Sequence, residues 1–175
     1  MPARRPAPAP ELQALYERPG FQLRRAHQIA VGLFVQECAA LGLNPPQHSV
    51  LQAIACRPAI DQTGLARALG FDRATIGILI RGLEARGLLE RRASDADRRR
   101  NLLRLTPQGR QVLRRAAPGA RRMSERLLAP LTAAERAQFM DLLSRITTQL
   151  NPQSRTPLEP PAPDDRPDGD GDRAR

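Results

Sequence analysis

Apolar residues between positions 11 and 150 recur mostly at helical spacing, and turn residues cut the run into separate elements. Leu23, His27, Ala30, Phe34, Cys38 and Leu41 form one stripe of a long first helix that ends near Gly42. A shorter segment, Glu11–Tyr16, precedes it and is separated by Pro19-Gly20. Asn44-Pro45 has the form of an N-cap followed by proline at the first helical position, and opens a helix through Cys56. Asp61 and Asp72 each open a further helix, and Ile60 with Leu65 and Phe71 with Ile76 have the spacing of hydrophobic staples. Gly70 lies between those two helices, where a left-handed residue is needed, and Ala66 is small enough for the helices to cross closely.

The period changes after Gly87. Leu88–Arg92 and Asn101–Leu105 are strand candidates joined by a polar, arginine-rich loop. Thr106-Pro107 then caps a helix through Leu128, with an interruption or kink expected at Pro118-Gly119. Thr132-Ala-Ala-Glu135 is a capping box for a last helix whose apolar face is Phe139, Leu142, Leu143, Ile146 and Leu150. The order predicts a mostly α fold with a small β-hairpin: a helix-turn-helix followed by a wing, flanked by N- and C-terminal helices. Residues 11–151 make one domain, with residues 44–106 as a reading head and residues 11–42 and 107–150 as flanking helices. Residues 1–10 and 152–175 read as disordered tails, rich in proline and too poor in apolar side chains to offset their ordering entropy.

Charge gives this arrangement a purpose. The 28 basic residues are all arginine, and the formal net charge is +10. A GC-rich genome, which favours arginine codons, is one reading of that bias, and selection for guanidinium chemistry is the other. The physical consequence is the same: the chain is drawn to polyanions, and guanidinium groups fit phosphates and guanine edges. No transmembrane or signal segment is visible, so a cytoplasmic protein is expected. Cys38 and Cys56 sit in apolar helical contexts without metal or redox spacing and read as buried, reduced thiols. No phosphate loop, nucleophile–base pair or metal cluster is written in the chain. An enzyme is therefore not expected, nor any metal or cofactor.

A helix-turn-helix holds its second helix out to the major groove of double-stranded DNA. In that helix Ile76, Leu79, Ile80 and Leu83 should face inward, leaving Arg73, Ala74, Thr75, Gly77, Ile78 and Arg81 outward. Thr75 offers a hydroxyl to a base or phosphate, Ile78 an apolar contact for a thymine methyl, and Gly77 a close backbone approach. Arg98, Arg99 and Arg100 fall at the presumed hairpin tip, where they reach phosphates or a minor groove.

The segments Asp61–Gly70, Leu83–Arg92 and Asp97–Gly109, the last with the pattern Asp-x-Arg leading to Leu-Thr-x-x-Gly, resemble the MarR family of bacterial transcriptional regulators from Pro19 to Leu150. The resemblance implies that Asp97 shapes the wing, that Arg99 enters the minor groove, and that the helix after Asp72 reads the major groove. It further implies a homodimer built from the terminal helices, acting as a repressor released from a palindromic operator by a small aromatic acid. The segment Pro19–Gln28 is similar to family members that repress aromatic-acid or nicotinate catabolism. Arg24, Arg25, His27 and His48 are the candidate contacts for that carboxylate. The alternatives are a winged helix used for DNA packaging or protein contact, and a redox repressor acting through its thiols.

Overall fold

The computed structural model describes residues 10–93 and 101–159. Among the described residues seven α-helices and three short strands follow in order: α1 (Pro10–Tyr16), α2 (Pro19–Glu37), α3 (Pro45–Cys56), β1 (Ile60–Asp61), α4 (Gln62–Leu69), α5 (Arg73–Ala85), β2 (Leu89–Ala93), β3 (Asn101–Leu105), α6 (Pro107–Leu128) and α7 (Ala133–Gln149). Five N-caps read from the sequence are in place, Thr106 among them through the Gly109 amide it accepts. Asn44 closes a capping box with Gln47, Asp61 accepts from the Gly64 amide, Asp72 from that of Thr75, and Thr132 closes a capping box with Glu135.

The core lies where α3, α4 and α5 meet the sheet. Leu51, Leu65, Ile76, Ile80 and Leu83 are fully buried there, with Leu88 and Leu103 from the base of the wing and Phe34 from α2. The hairpin pairs Leu89 with Leu105 and Ala93 with Asn101 in antiparallel register. A third strand, β1, joins the free edge of β3 through Ile60 and Leu103. Two residues carry no legible alternation, so this strand is absent from the sequence pattern. It is delivered by a turn in which Ala59 takes the left-handed conformation (φ 71°) and donates its amide to Leu103 O at 3.3 Å.

Four elements differ from expectation. The long first helix stops at Glu37, and Ala39–Leu41 continue as a 3₁₀ turn before left-handed Gly42. The guanidinium of Arg86 donates to Leu41 O and Gly42 O, both at 2.8 Å, which satisfies carbonyls that the broken helix leaves open. The expected break at Pro118 is not there: α6 runs through it. Pro118 sits on the exposed face, so water can serve the carbonyl it leaves without a donor, while buried Gly119 packs on α2.

The third difference is at the C-terminus. Residues 152–159, expected to be disordered, lie along the helix-turn-helix. Thr156 donates its hydroxyl to Gly70 O at 2.6 Å, and the Glu159 amide donates to Arg67 O at 3.0 Å. Backbone carbonyls at the end of α4 attract this segment, and apolar composition does not report on them. The fourth concerns Cys56, which is exposed rather than buried; Cys38 is buried as expected, and both are free.

Candidate nucleic-acid interface

The turn between α4 and α5 is Gly70-Phe-Asp72, with Gly70 left-handed at φ 64°. Helix α5 then starts on Asp72, whose carboxylate accepts from both the amide and the hydroxyl of Thr75, each at 2.8 Å. These hydrogen bonds hold the Asp72 carboxyl below the usual range. They also narrow what Thr75 can offer. Its hydroxyl proton is committed to Asp72, so the group has acceptor lone pairs left to offer, which suit an amino donor better than a phosphate oxygen.

Ile76, Ile80 and Leu83 are buried beneath α5, and Leu79 packs partly against the same core. Arg73, Ala74, Ile78 and Arg81 are exposed, Ile78 to 63%. Gly77 departs from its expected place. It is buried, and a β-carbon there would lie 3.4 Å from Gln62 Nε2 and 3.3 Å from Arg81 Nη1. A side chain there would press on the ends of Gln62 from α4 and Arg81 from α5.

The wing is fastened to the head by the Leu-Thr-x-x-Gly segment. Thr106 donates its hydroxyl to Gly87 O at 2.7 Å, accepts the Gly109 amide at 3.0 Å, and donates its own amide to Leu88 O at 3.2 Å. Arg110 donates to Leu105 O at 2.7 Å, and Arg91 pairs with Glu84 of α5 at 2.9 Å. The expected tip residues Asp97, Arg98, Arg99 and Arg100 lie outside the described residues.

Three of the four candidate effector contacts lie close together on α2 and the fourth on α3. Arg24, Arg25 and His27 are exposed on α2, with Arg24 stacked over Phe21 at 4.9 Å. His27 therefore does not sit in a buried apolar stripe. His48 on α3 is half-buried against Phe34, with ring centroids 5.3 Å apart, and its desolvation favours the neutral imidazole. Phe34 is two helical turns beyond His27, about 10 Å along α2. A cleft of about 460 Å³ lies elsewhere, between α3, the wing base and the start of α6, and is lined by Ile54, Leu105, Arg92, Arg104 and Arg110 among others. None of the four candidate contacts borders it.

Outside the head, α2 and α6 are joined through Glu37, which takes Arg122 at 2.7 Å and Arg126 at 2.8 Å. The two guanidinium groups hold its carboxyl below the usual range. Burial pushes the Cys38 thiol up, away from the thiolate that redox chemistry needs. Helix α7 has no buried residue, and Phe139, Met140, Leu142, Ile146 and Leu150 are each 41–52% accessible. Leu12, Leu15, Leu23, Ile29 and Val35 of α1 and α2 are exposed as well. No described helix is long and apolar enough to cross a membrane.

Residues 41–100 match the model of the MarR family. A protein of Thauera aromatica named for transcriptional regulation of the hcr operon is 37% identical over 79% of this chain and 82% of its own. Among solved structures, the PcaV regulator of Streptomyces coelicolor, in complex with its natural ligand, has a TM-score of 0.71 at 37% identity, over 77% of this chain and 94% of that one. The repressor CouR, bound to a 23-mer DNA duplex, has a TM-score of 0.73 at 33% identity, over 80% of this chain and 99% of its own. BpsR of Bordetella bronchiseptica, whose DNA binding is regulated by 6-hydroxynicotinic acid, has a TM-score of 0.71 at 33% identity, over 75% and 94%. Sequence and architecture agree: the chain belongs to the MarR family of DNA-binding transcriptional regulators.

Proposed function

We propose that this protein is a homodimeric repressor that holds a palindromic operator with two winged heads and is released by a small aromatic carboxylate. The observation that carries the dimer is the apolar surface left open on α7, α1 and α2 in a chain with a single recognition helix. One head makes a small DNA site; two related by a dyad match a palindrome. Arg73, Thr75, Ile78 and Arg81 face the major groove, and Arg99, flanked by Arg98 and Arg100 in a wing shaped by Asp97, enters the minor groove.

The effector class is supported by the regulation of BpsR by 6-hydroxynicotinic acid. Arg24, Arg25 and His27 supply cationic and polar groups on the exposed face of α2, with His48 below it on α3, in a crevice that the second copy completes. A ligand that draws the terminal helices together there changes the separation of the heads, which then no longer fit half-sites about one DNA turn apart.

The test is a gel-shift titration on the promoter region beside its own gene, with excess random duplex and 6-hydroxynicotinate, nicotinate or 4-hydroxybenzoate in parallel lanes. A discrete complex that survives competitor and dissolves with one acid is expected, as is loss of more than about tenfold in affinity for Arg99→Ala, a minor-groove contact. Smearing that the competitor abolishes would replace the repressor with a non-specific DNA binder.

A further inference from the structure

The C-terminal segment is built too carefully to be a loose end. The Asn151 side chain clasps Leu158 in both directions, accepting its amide at 2.7 Å and donating to its carbonyl at 2.9 Å. Inside that loop Ser154 Oγ accepts the Thr156 amide at 3.2 Å. Outside it, Thr156 is bonded to Gly70 O and Glu159 to Arg67 O, with the Arg67 guanidinium 3.5 Å from the Glu159 carboxylate. The docking therefore reaches the turn of the helix-turn-helix, immediately before the recognition helix.

Arg155 is held between these anchors. Its Nη2 is 3.8 Å from Asp72 Oδ2, and its side chain is 91% exposed. Both Asp72 oxygens already accept from Thr75, so Arg155 is not needed as part of the helix cap. A pair this long and this exposed contributes little to stability. The guanidinium is thus a cation placed beside the first turn of α5 and left free to turn toward another anion. Arg73, the next residue after Asp72, is exposed on the same turn, while the acidic group of the segment, Glu159, is already matched by Arg67. The first turn of a recognition helix is the part that approaches DNA, and arginines at its margin bind phosphate.

We propose that the docked C-terminal segment is a third DNA-contacting element of the reading head, in which Arg155 binds a backbone phosphate next to the N-terminus of α5. This rests on α5 being the helix that reads the groove. Such a contact adds affinity on any sequence and leaves sequence preference unchanged.

The experiment is fluorescence anisotropy of the full-length protein on an operator duplex and on a random duplex of equal length, at increasing salt. Arg155→Ala should weaken binding several-fold on both duplexes and make the slope of log affinity against log salt shallower by about 0.9 per chain. Arg155→Lys should restore the slope, and thermal unfolding should be unchanged in both variants. An unchanged slope overturns the proposal. Tighter binding by Arg155→Ala also overturns it, and would mean that the segment obstructs DNA. Ile78→Ala and Arg73→Ala separate the two levels: if they weaken binding and Arg155→Ala does not, only the C-terminal contact fails. If none of the three has an effect, the placement of α5 fails with it.

Discussion

Gly109 and Leu88 touch backbone to backbone: a β-carbon at Gly109 would overlap the Leu88 carbonyl oxygen and lie 2.8 Å from its carbonyl carbon. The first turn of α6 thereby rests directly on the base of the wing, with Thr106 bonded to Gly87 and Leu88 beside it. The glycine of the Leu-Thr-x-x-Gly pattern is thus explained by volume. It lets the helix leading to the terminal helices approach the strand that carries the wing.

Gly109→Ala must move the backbone of one partner, and overpacking of this kind costs about 1–3 kcal/mol or more. Chemical denaturation should show that loss, together with weaker DNA binding. Gly82 on α5 is the control, since nothing lies within 4 Å of its β-carbon position. Gly82→Ala should raise stability by about 0.5–1 kcal/mol through helix propensity.

The acid response has two windows, one set by His48 and one by the lowered carboxyls of Glu37, Asp72 and Glu135. His48 is held neutral by burial, its pKa lowered from 6.5, so the unfolded chain binds the proton first and stability falls as pH drops below about 6.5. Glu37 has its carboxyl lowered from 4.5 by Arg122 and Arg126, so its contribution is present above that value and lost as pH falls through the lower folded value. Urea midpoints measured from neutral to acid pH should show both steps. Glu37→Gln should reduce the second, leaving the share of Asp72 and Glu135, and leave the first unchanged.

Leu142→Arg or Ile146→Arg should abolish the dimer. Both side chains are nearly half exposed in the protomer (46% and 49%), so the folded head should survive, with unchanged core melting apart from that of α7. Sedimentation velocity would show a monomer, and operator affinity should fall steeply because one head makes only half the contacts. A dimer persisting in both variants would place the interface elsewhere.

Arg24→Ala and His27→Ala should spare DNA binding and blunt release by the aromatic acid. Arg104→Ala is the comparison, because Arg104 lines the cleft at the wing base and has no side-chain partner among the described residues. Release that is lost in Arg104→Ala but kept in Arg24→Ala would move the effector from the terminal helices to that cleft.

Most of the reading head was legible because its signals are local. Asn44, Asp61, Asp72 and Thr132 mark helix starts by side-chain chemistry that acts within three residues, and Gly70 marks the turn by its left-handed backbone. The misread features depend on distant partners. Gly77 faces Gln62 of the preceding helix, a packing constraint that helical periodicity does not contain. Residues 152–159 are placed by carbonyls at the end of α4, over eighty residues earlier, so a composition that signals disorder in isolation fails when acceptors await it. His27 shares a stripe with Phe34 and Cys38, yet only the later part of α2 meets α3 and α6, and the earlier part stays open.

That open stretch, together with α7, bears on how the regulator accumulates. A protomer whose last helix has no buried residue has an unfinished surface until a second copy arrives, and for the dimer proposed above the concentration of assembled dimer rises with the square of the free-subunit concentration. Newly made copies at low concentration present an uncovered apolar helix of the kind that proteases and chaperones take up. Occupancy of the promoter would then respond to expression as a threshold rather than in proportion, and a cell could clear the regulator simply by slowing its synthesis.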